Sequence, residues 1–272
     1  MDTFSRNSIL DLFPHKTLKD ILPTGGKDDI LSLLDALMQK VFLNCEEIYD
    51  YINKKGEILI FGGALRDIYV WGNNKKSRDI DLVISGFSNS GLESLMKRSI
   101  SRKTRFGGLQ CVFNEYHVDI WGLDETWAFK EKYFEPKIEN LPKSVFLSID
   151  AVIYNLQSKK IYENGFYDSI SKKEIDIVFE PNPYPALCII RALVNRRKYD
   201  FNFSESLCDY IVKNFYEDPD IVKKLKDIQL SHYGIIKLTN AEIFNEIEKY
   251  VWAKKSFSKI IENAIKLKHK IS

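Results

Sequence analysis

Residues 58–85, ILIFGGALRDIYVWGNNKKSRDIDLVIS, decide how this chain reads. An apolar run from Glu57 to Phe61 predicts a short strand that ends at Gly62-Gly63. A helical stretch follows from Ala64 to Trp71, and Asn73-Asn74-Lys75-Lys76 reads as a loop. From Asp79 to Ile84 the text is strand-like again. Ile80, Leu82 and Ile84 fall on one face, and Asp79, Asp81 and Val83 on the other. Glycines between a strand and a helix let backbone amides approach an anion closely, and the helix N-terminus adds a favourable dipole. Two carboxylates on one strand face repel each other unless a divalent cation neutralises them. Each signal is weak alone, because most glycine pairs are simply tight turns.

The flanking sequence adds to both signals. Leu109–Phe113 and Tyr116–Trp121 predict a hairpin joined at Asn114-Glu115. Asp119 lies in its second strand between the apolar residues Val118 and Ile120, and His117 shares its face. A third acid on a neighbouring strand completes a site for two magnesium ions, with manganese as the alternative metal. Phe146–Leu156 and Lys160–Tyr162 predict a second hairpin. Residues 1–55 read as helical, with Ile30, Leu33, Leu34, Leu37, Val41 and Ile48 at helical spacing and Lys54-Lys55-Gly56 as the stop. Residues 181–272 are helical again. Pro183 and Pro185 suit a helix start, Ser204 caps a second helix that ends before Asp218-Pro219, and Thr239 with Glu242 forms a capping box. The basic tail KLKHKIS reads as frayed. The pattern is α+β, a mixed or antiparallel sheet with flanking helices followed by an all-helical segment, in three parts: 1–55, 56–180 and 181–272.

Composition excludes several classes. The 272 residues are 44% hydrophobic and 29% charged, enough for a packed core and unlike a disordered chain. Forty Lys and Arg against 38 Asp and Glu give a net charge of +2, which rules out nucleic-acid coating by bulk charge but not a local basic site. Cys45, Cys111, Cys188 and Cys208 are too scattered for a zinc knuckle or a disulfide scaffold, and the four histidines form no metal-type pair. No apolar run reaches the roughly 20 residues that span a bilayer, and MDTFSRNSILDLF does not read as a signal peptide. A reducing, cytoplasmic setting is expected.

Taken together, Gly62, Gly63, Arg66, Asp67, Arg78, Asp79 and Asp81 resemble the Gly-Gly-x-x-Arg-Asp and Asp-x-Asp motifs of the class II tRNA nucleotidyltransferases (CCA-adding enzymes) and bacterial poly(A) polymerases, within the polymerase-β nucleotidyltransferase superfamily. Leu147–Asn155 resembles that family's second motif, and Ile189-Ile190-Arg191-Ala192-Leu193 its neck helix, so the likeness covers about residues 56–205. The resemblance implies a polymerase-β-like palm followed by a helical neck and body. It implies magnesium-dependent, template-independent transfer of NMP or dNMP from a nucleoside triphosphate to an acceptor hydroxyl, with pyrophosphate released. Asp79 and Asp81 would hold both metals and Asp119 the catalytic one. Gly62 and Gly63 would cradle the triphosphate, with Arg66, Asp67, Arg78 and Arg191 as further nucleotide contacts.

The chain also departs from the family. Val145 and Phe146 stand where the family has the Arg-Asp pair that senses the ribose, and Asp150 stands at its Asn. Tyr184, Pro185 and Cys188 occupy the places of the base-reading Glu-Asp-x-x-Arg, and none offers that pairing. A true CCA-adding enzyme is therefore disfavoured. The acceptor is an RNA or tRNA 3′ end, a short oligonucleotide or a protein hydroxyl. The alternatives are an antiphage defence enzyme that makes an oligonucleotide signal, a tRNA-modifying toxin and an inactive nucleotide-binding module. Structural readings stand beside the functional ones. Asp67 can cap its helix, Arg66 and Arg78 can brace the site, Asp119 can pair with a lysine, and Arg191 can lie on a solvated face. Ser101–Gly108, with three cations, one aromatic and two glycines, reads as a solvated loop or as a nucleotide or acceptor contact.

Overall fold

A computed structural model describes residues 27–72, 79–218 and 220–250. The chain divides into two compact units, with the boundary between Tyr167 and Asp168.

The first unit is built on one seven-stranded sheet. Two helices precede it, α1 (Lys27–Val41) and α2 (Glu46–Lys55). α1 buries Ile30, Leu34, Met38 and Val41, which recur every three or four residues. α2 carries acids in its first turn and lysines in its last, each set opposing the helix dipole, and it stops at Gly56. The strands are β1 (Glu57–Phe61), β2 (Asp79–Ser85), β3 (Ile100–Lys103), β4 (Leu109–Phe113), β5 (Tyr116–Gly122), β6 (Val152–Asn155) and β7 (Lys160–Glu163). Their order across the sheet is β3-β4-β5-β2-β1-β6-β7. Only the β2–β5 pairing is parallel, so the sheet is mixed.

The strand alternation divides the apolar residues between two faces. Ile60, Leu82, Val118 and Tyr154 point toward the helical side, where the Tyr154 hydroxyl donates to Asp35 of α1 at 3.1 Å and Phe113 meets Phe42. Helix α3 (Gly63–Trp71) packs on β1, β2 and β6; the short helices α4 (Asn89–Leu95), α5 (Trp127–Lys130) and α6 (Phe166–Lys172) follow β2, β5 and β7. The other face carries Leu59, Val83 and Ile153, which are roofed by Leu123, Phe129 and Leu141 from the segment after β5. Burying that many apolar side chains, at about 1.5–3 kcal/mol each, fixes which face each strand presents. Val83 lies under this roof, and Asp79 and Asp81 precede it on the same face.

The β4–β5 hairpin turns at Asn114, whose φ of 52° is in the left-handed region that asparagine tolerates. Its side-chain amide donates to Val41 and Leu43 carbonyls, which ties the turn to the end of α1. The second expected hairpin is shorter than its sequence suggests. Only Val152–Asn155 is strand, and Ser148–Asp150 coils into a single 3-10 turn. That turn directs Asp150 inward to a buried partner instead of along a sheet edge. Ser101–Gly108 is not all loop. Its first part pairs with β4 as an edge strand, and its remainder is the hairpin tip.

In the second unit, α7 (Pro185–Tyr199) starts with Pro185 in its first turn and ends at Asp200 in the left-handed region. Ser204 caps α8 (Glu205–Glu217) by accepting from the Leu207 amide. After α9 (Ile221–Tyr233), the fully buried Gln229 staples the following loop. Its amide donates to the Leu238 carbonyl and accepts from the Lys237 and Leu238 amides. The Thr239–Glu242 capping box then opens a helix described over 240–250. Arg197 and Arg196 of α7 bond Glu242 and Glu246 of that helix, each at 2.7 Å. Among the described residues, no helix is long and apolar enough to cross a membrane. The expected loop at residues 73–76, Arg78, Pro219 and the tail 266–272 lie outside the described residues, as does the expected helical text before residue 27.

Candidate active site

Parallel pairing of β2 with β5 sets Asp81 directly against Asp119 and Asp79 against His117. Adjacent strands are about 4.8 Å apart and successive same-face residues about 6.6 Å, so the three aspartate backbones fall within roughly 8 Å. On the other flank, antiparallel pairing sets Phe61, the last residue of β1, against Asp81. The acids thus lie beside the point where β1 leaves the sheet through Gly62-Gly63. They do not meet as a ready-made ligand set: among the described residues, no three His, Cys, Asp or Glu side chains stand at metal-binding spacing.

One partner of Asp119 is Gln110 on β4, its register neighbour, whose amide donates to Asp119 Oδ1 at 2.9 Å. Gln110 Oε1 in turn accepts from Arg102 Nε at 2.9 Å. This bond fixes which end of the amide faces the acid. The sequence motifs do not mark Gln110, and they include Arg102 only within the Ser101–Gly108 contact segment. Burial pushes the Asp119 carboxyl above its ordinary range, and the neighbouring Asp79 charge adds to that; the Gln110 amide, Arg102 and His117 oppose it. Beneath the site, burial and then the Asp119 charge push the Cys111 thiol up to about 11.

A raised carboxyl pKa has a definite sign in stability. The folded protein holds the Asp119 proton more tightly than the unfolded chain, so this contribution is complete below the unfolded value near 4 and is lost as pH rises through the folded one. At neutral pH without divalent cations, Asp119→Asn is therefore expected to melt about 2 °C above wild type, with the gap closing toward pH 3. A pH series of thermal melts in chelator checks this, and a variant that melts below wild type at pH 7 contradicts it.

The glycine bend is held from below. Gly62 has a φ of 56°, a conformation open to glycine, and its amide donates to the Val152 carbonyl at 2.9 Å. A Cβ there would stand 3.5 Å from the Asp150 carbonyl oxygen. Arg66, in the first turn of α3, turns under the bend and forms a buried ion pair with Asp150, with Asp67 at 3.5 Å from its Nε. Arg66 and Asp67 are 7% and 8% exposed, and Arg66 links the first turn of α3 to Asp150 in the turn before β6. Arg191 lies on an exposed position of α7 in the second unit.

No protein-family model matches the chain, and no curated protein matches its sequence. Solved structures do. A CCA-adding enzyme in complex with ATP superposes with a TM-score of 0.55 at 16% identity, covering 82% of this chain and 53% of that one. A tRNA nucleotidyltransferase complexed with a primer tRNA and an incoming ATP analogue gives 0.54 at 17%, covering 75% and 60%. The Thermotoga maritima CCA-adding enzyme bound to tRNA gives 0.51 at 16%, covering 86% and 54%. The chain thus spans little more than half the length of these proteins. At such identities the likeness is one of fold, and the chain has the fold shared by these tRNA nucleotidyltransferases: a mixed-sheet head followed by helices.

Proposed function

We propose that the chain is a nucleotidyltransferase that moves NMP or dNMP from a nucleoside triphosphate to an acceptor hydroxyl. The attacking oxygen forms a bond to the α-phosphorus as the bond to the bridging oxygen breaks. The hydroxyl proton is lost, and pyrophosphate leaves. The observation that carries this reading is the register of Asp81 on Asp119, with Asp79 beside them, next to a strand–glycine–helix bend. The fold supports it, since structures of the same fold hold ATP, or a primer tRNA with an ATP analogue.

Three carboxylates are hard oxygen donors that suit magnesium or manganese, and a divalent cation relieves the repulsion that helps raise the Asp119 pKa. Asp79, Asp81 and Asp119 would hold the metal, which when bound neutralises triphosphate charge and lowers the pKa of the attacking hydroxyl. The chain's own residues do the rest. Gln110, oriented by Arg102, fixes the Asp119 carboxylate in rotation. The Gly62-Gly63 bend gives phosphate oxygens access to backbone amides at the start of α3. Arg66 and Asp150 hold that bend in place. Tyr184, Pro185 and Cys188 supply no base-edge pairing, and the Cys188 side chain is buried in α7, so CCA-specific base selection is not part of this proposal.

Incubation with each NTP and dNTP in magnesium, followed by mass analysis of the nucleotides and of the protein, tests the reaction. A product heavier by one or more nucleotide monophosphates, with pyrophosphate, is expected. Free oligonucleotide products favour signal synthesis, and a mass gain on the protein favours a protein acceptor. No product with any triphosphate, together with a thermal shift that ignores both magnesium and the triphosphate, leaves a binding module instead.

A further inference from the structure

Phe106, at the tip of the β3–β4 hairpin, and Tyr133, in the roof segment, are 40% and 51% exposed. Both rings flank Trp127 of the short helix α5 (Trp127–Lys130), with centroids 6.2 Å and 5.7 Å away and planes tilted by 48° and 39°. Three large aromatics collected at the surface form a shelf wide enough for stacked bases. We propose that the acceptor is single-stranded nucleic acid and that its bases stack on this shelf, an inference that rests on the transferase reading above.

Position and charge both point to that occupant. Trp121 lies two residues beyond Asp119 on the same strand and therefore on the acid face. Its indole N–H donates to Thr126 Oγ1 at 3.1 Å, immediately before Trp127. The hairpin tip closes on the same place, since a Cβ on Gly108 would stand 3.2 Å from Trp121 Cβ. The shelf thus starts about two strand residues, roughly 7 Å, beyond the third acid. A strand with its 3′ hydroxyl at the acids reaches the shelf with its preceding bases. The hairpin side of the shelf is basic: residues 94–114 contain Lys97, Arg98, Arg102, Lys103 and Arg105 and no acid, with Lys103 paired to Glu93 at 2.9 Å, whereas the α5 side mixes Asp124, Glu125 and Glu131 with Lys130 and Lys132. Sequence-tolerant stacking beside a cationic hairpin is how proteins hold single strands without reading bases. That suits a chain with no base-pairing groups at its neck positions. A protein hydroxyl acceptor has no use for such a shelf.

The test measures anisotropy of a labelled single-stranded oligoadenylate, with the NTP-dependent thermal shift in magnesium measured in parallel. Phe106→Ala with Tyr133→Ala is expected to weaken oligoadenylate binding by roughly ten- to a hundredfold while the NTP-dependent shift stays as in wild type. Tyr133→Phe keeps the ring and is expected to bind like wild type. Both residues are exposed, so the variants are expected to fold, and their melting temperatures verify it. Unchanged oligoadenylate affinity in the double variant overturns the shelf, as does a wild type that binds no oligonucleotide yet modifies a protein. Failure of the wild-type NTP shift overturns the transferase reading itself, a separate outcome.

Discussion

Replacing Asp79 and Asp81 together by alanine is expected to lower nucleotide incorporation at least about a thousandfold while leaving the melting temperature within a few degrees of wild type. The two expectations have different origins. β2 is anchored by its other face, where Ile80, Leu82 and Ile84 are essentially inaccessible to solvent. Asp79 is exposed and Asp81 only half-buried, so truncating them removes little packing. It also removes negative charge from beside Asp119, whose carboxyl pKa is already raised by burial and by Asp79. The fold therefore loses little. The proposed chemistry loses the groups that would hold the metal, which supplies several kcal/mol of transition-state stabilisation; about 4 kcal/mol corresponds to a thousandfold. Labelled-nucleotide incorporation and thermal melts on the same preparation separate the two effects. Activity surviving in this variant excludes the proposed metal role of β2.

Much of this arrangement was legible in the sequence. Alternation over Asp79–Ser85 was enough to place both acids on one face, because a strand has only two faces and the apolar residues claim one. The Asn114-Glu115 turn fixed more than was taken from it. A two-residue turn sets Phe113 against Tyr116, which forces Gln110 against Asp119, so the partner of the third acid was available from the register. Two other features were not accessible in this way. The parallel pairing of β2 with β5 joins residues some forty positions apart, and no local pattern encodes which strands become neighbours across that gap. The turn at Ser148–Asp150 falls inside the expected strand Phe146–Leu156, because that stretch is mostly apolar. Periodicity cannot distinguish a buried strand from a buried coil of the same composition. What breaks the strand is a charge with a distant partner, 84 residues back.

That charge sets the second large effect. Arg66→Ala is expected to destabilise the protein by about 3–5 kcal/mol, lowering its melting temperature by roughly 10 °C, because it leaves Asp150 buried opposite Asp67 without the guanidinium between them. The side chains of Arg66 and Asp150 are only 8% and 7% exposed, so solvent screens the loss poorly. Asp150→Asn is expected to be far milder, about 1–2 kcal/mol, since the amide oxygen still accepts from Arg66 and the guanidinium keeps Asp67. Asparagine is also what the resembling family carries at this place, so the mild variant tests whether the charge is a device for stability or for the bend. The pair ties the start of α3 to the turn before β6, and Gly62 sits between them, hydrogen-bonded to Val152. If the pair positions the bend for a triphosphate, Asp150→Asn raises KM for the nucleotide several-fold at a temperature where the variant is fully folded, with kcat less affected. A KM equal to that of wild type would show that the negative charge of Asp150 is not needed to position the bend. An Arg66→Ala protein that melts within about 2 °C of wild type would contradict the buried pair itself.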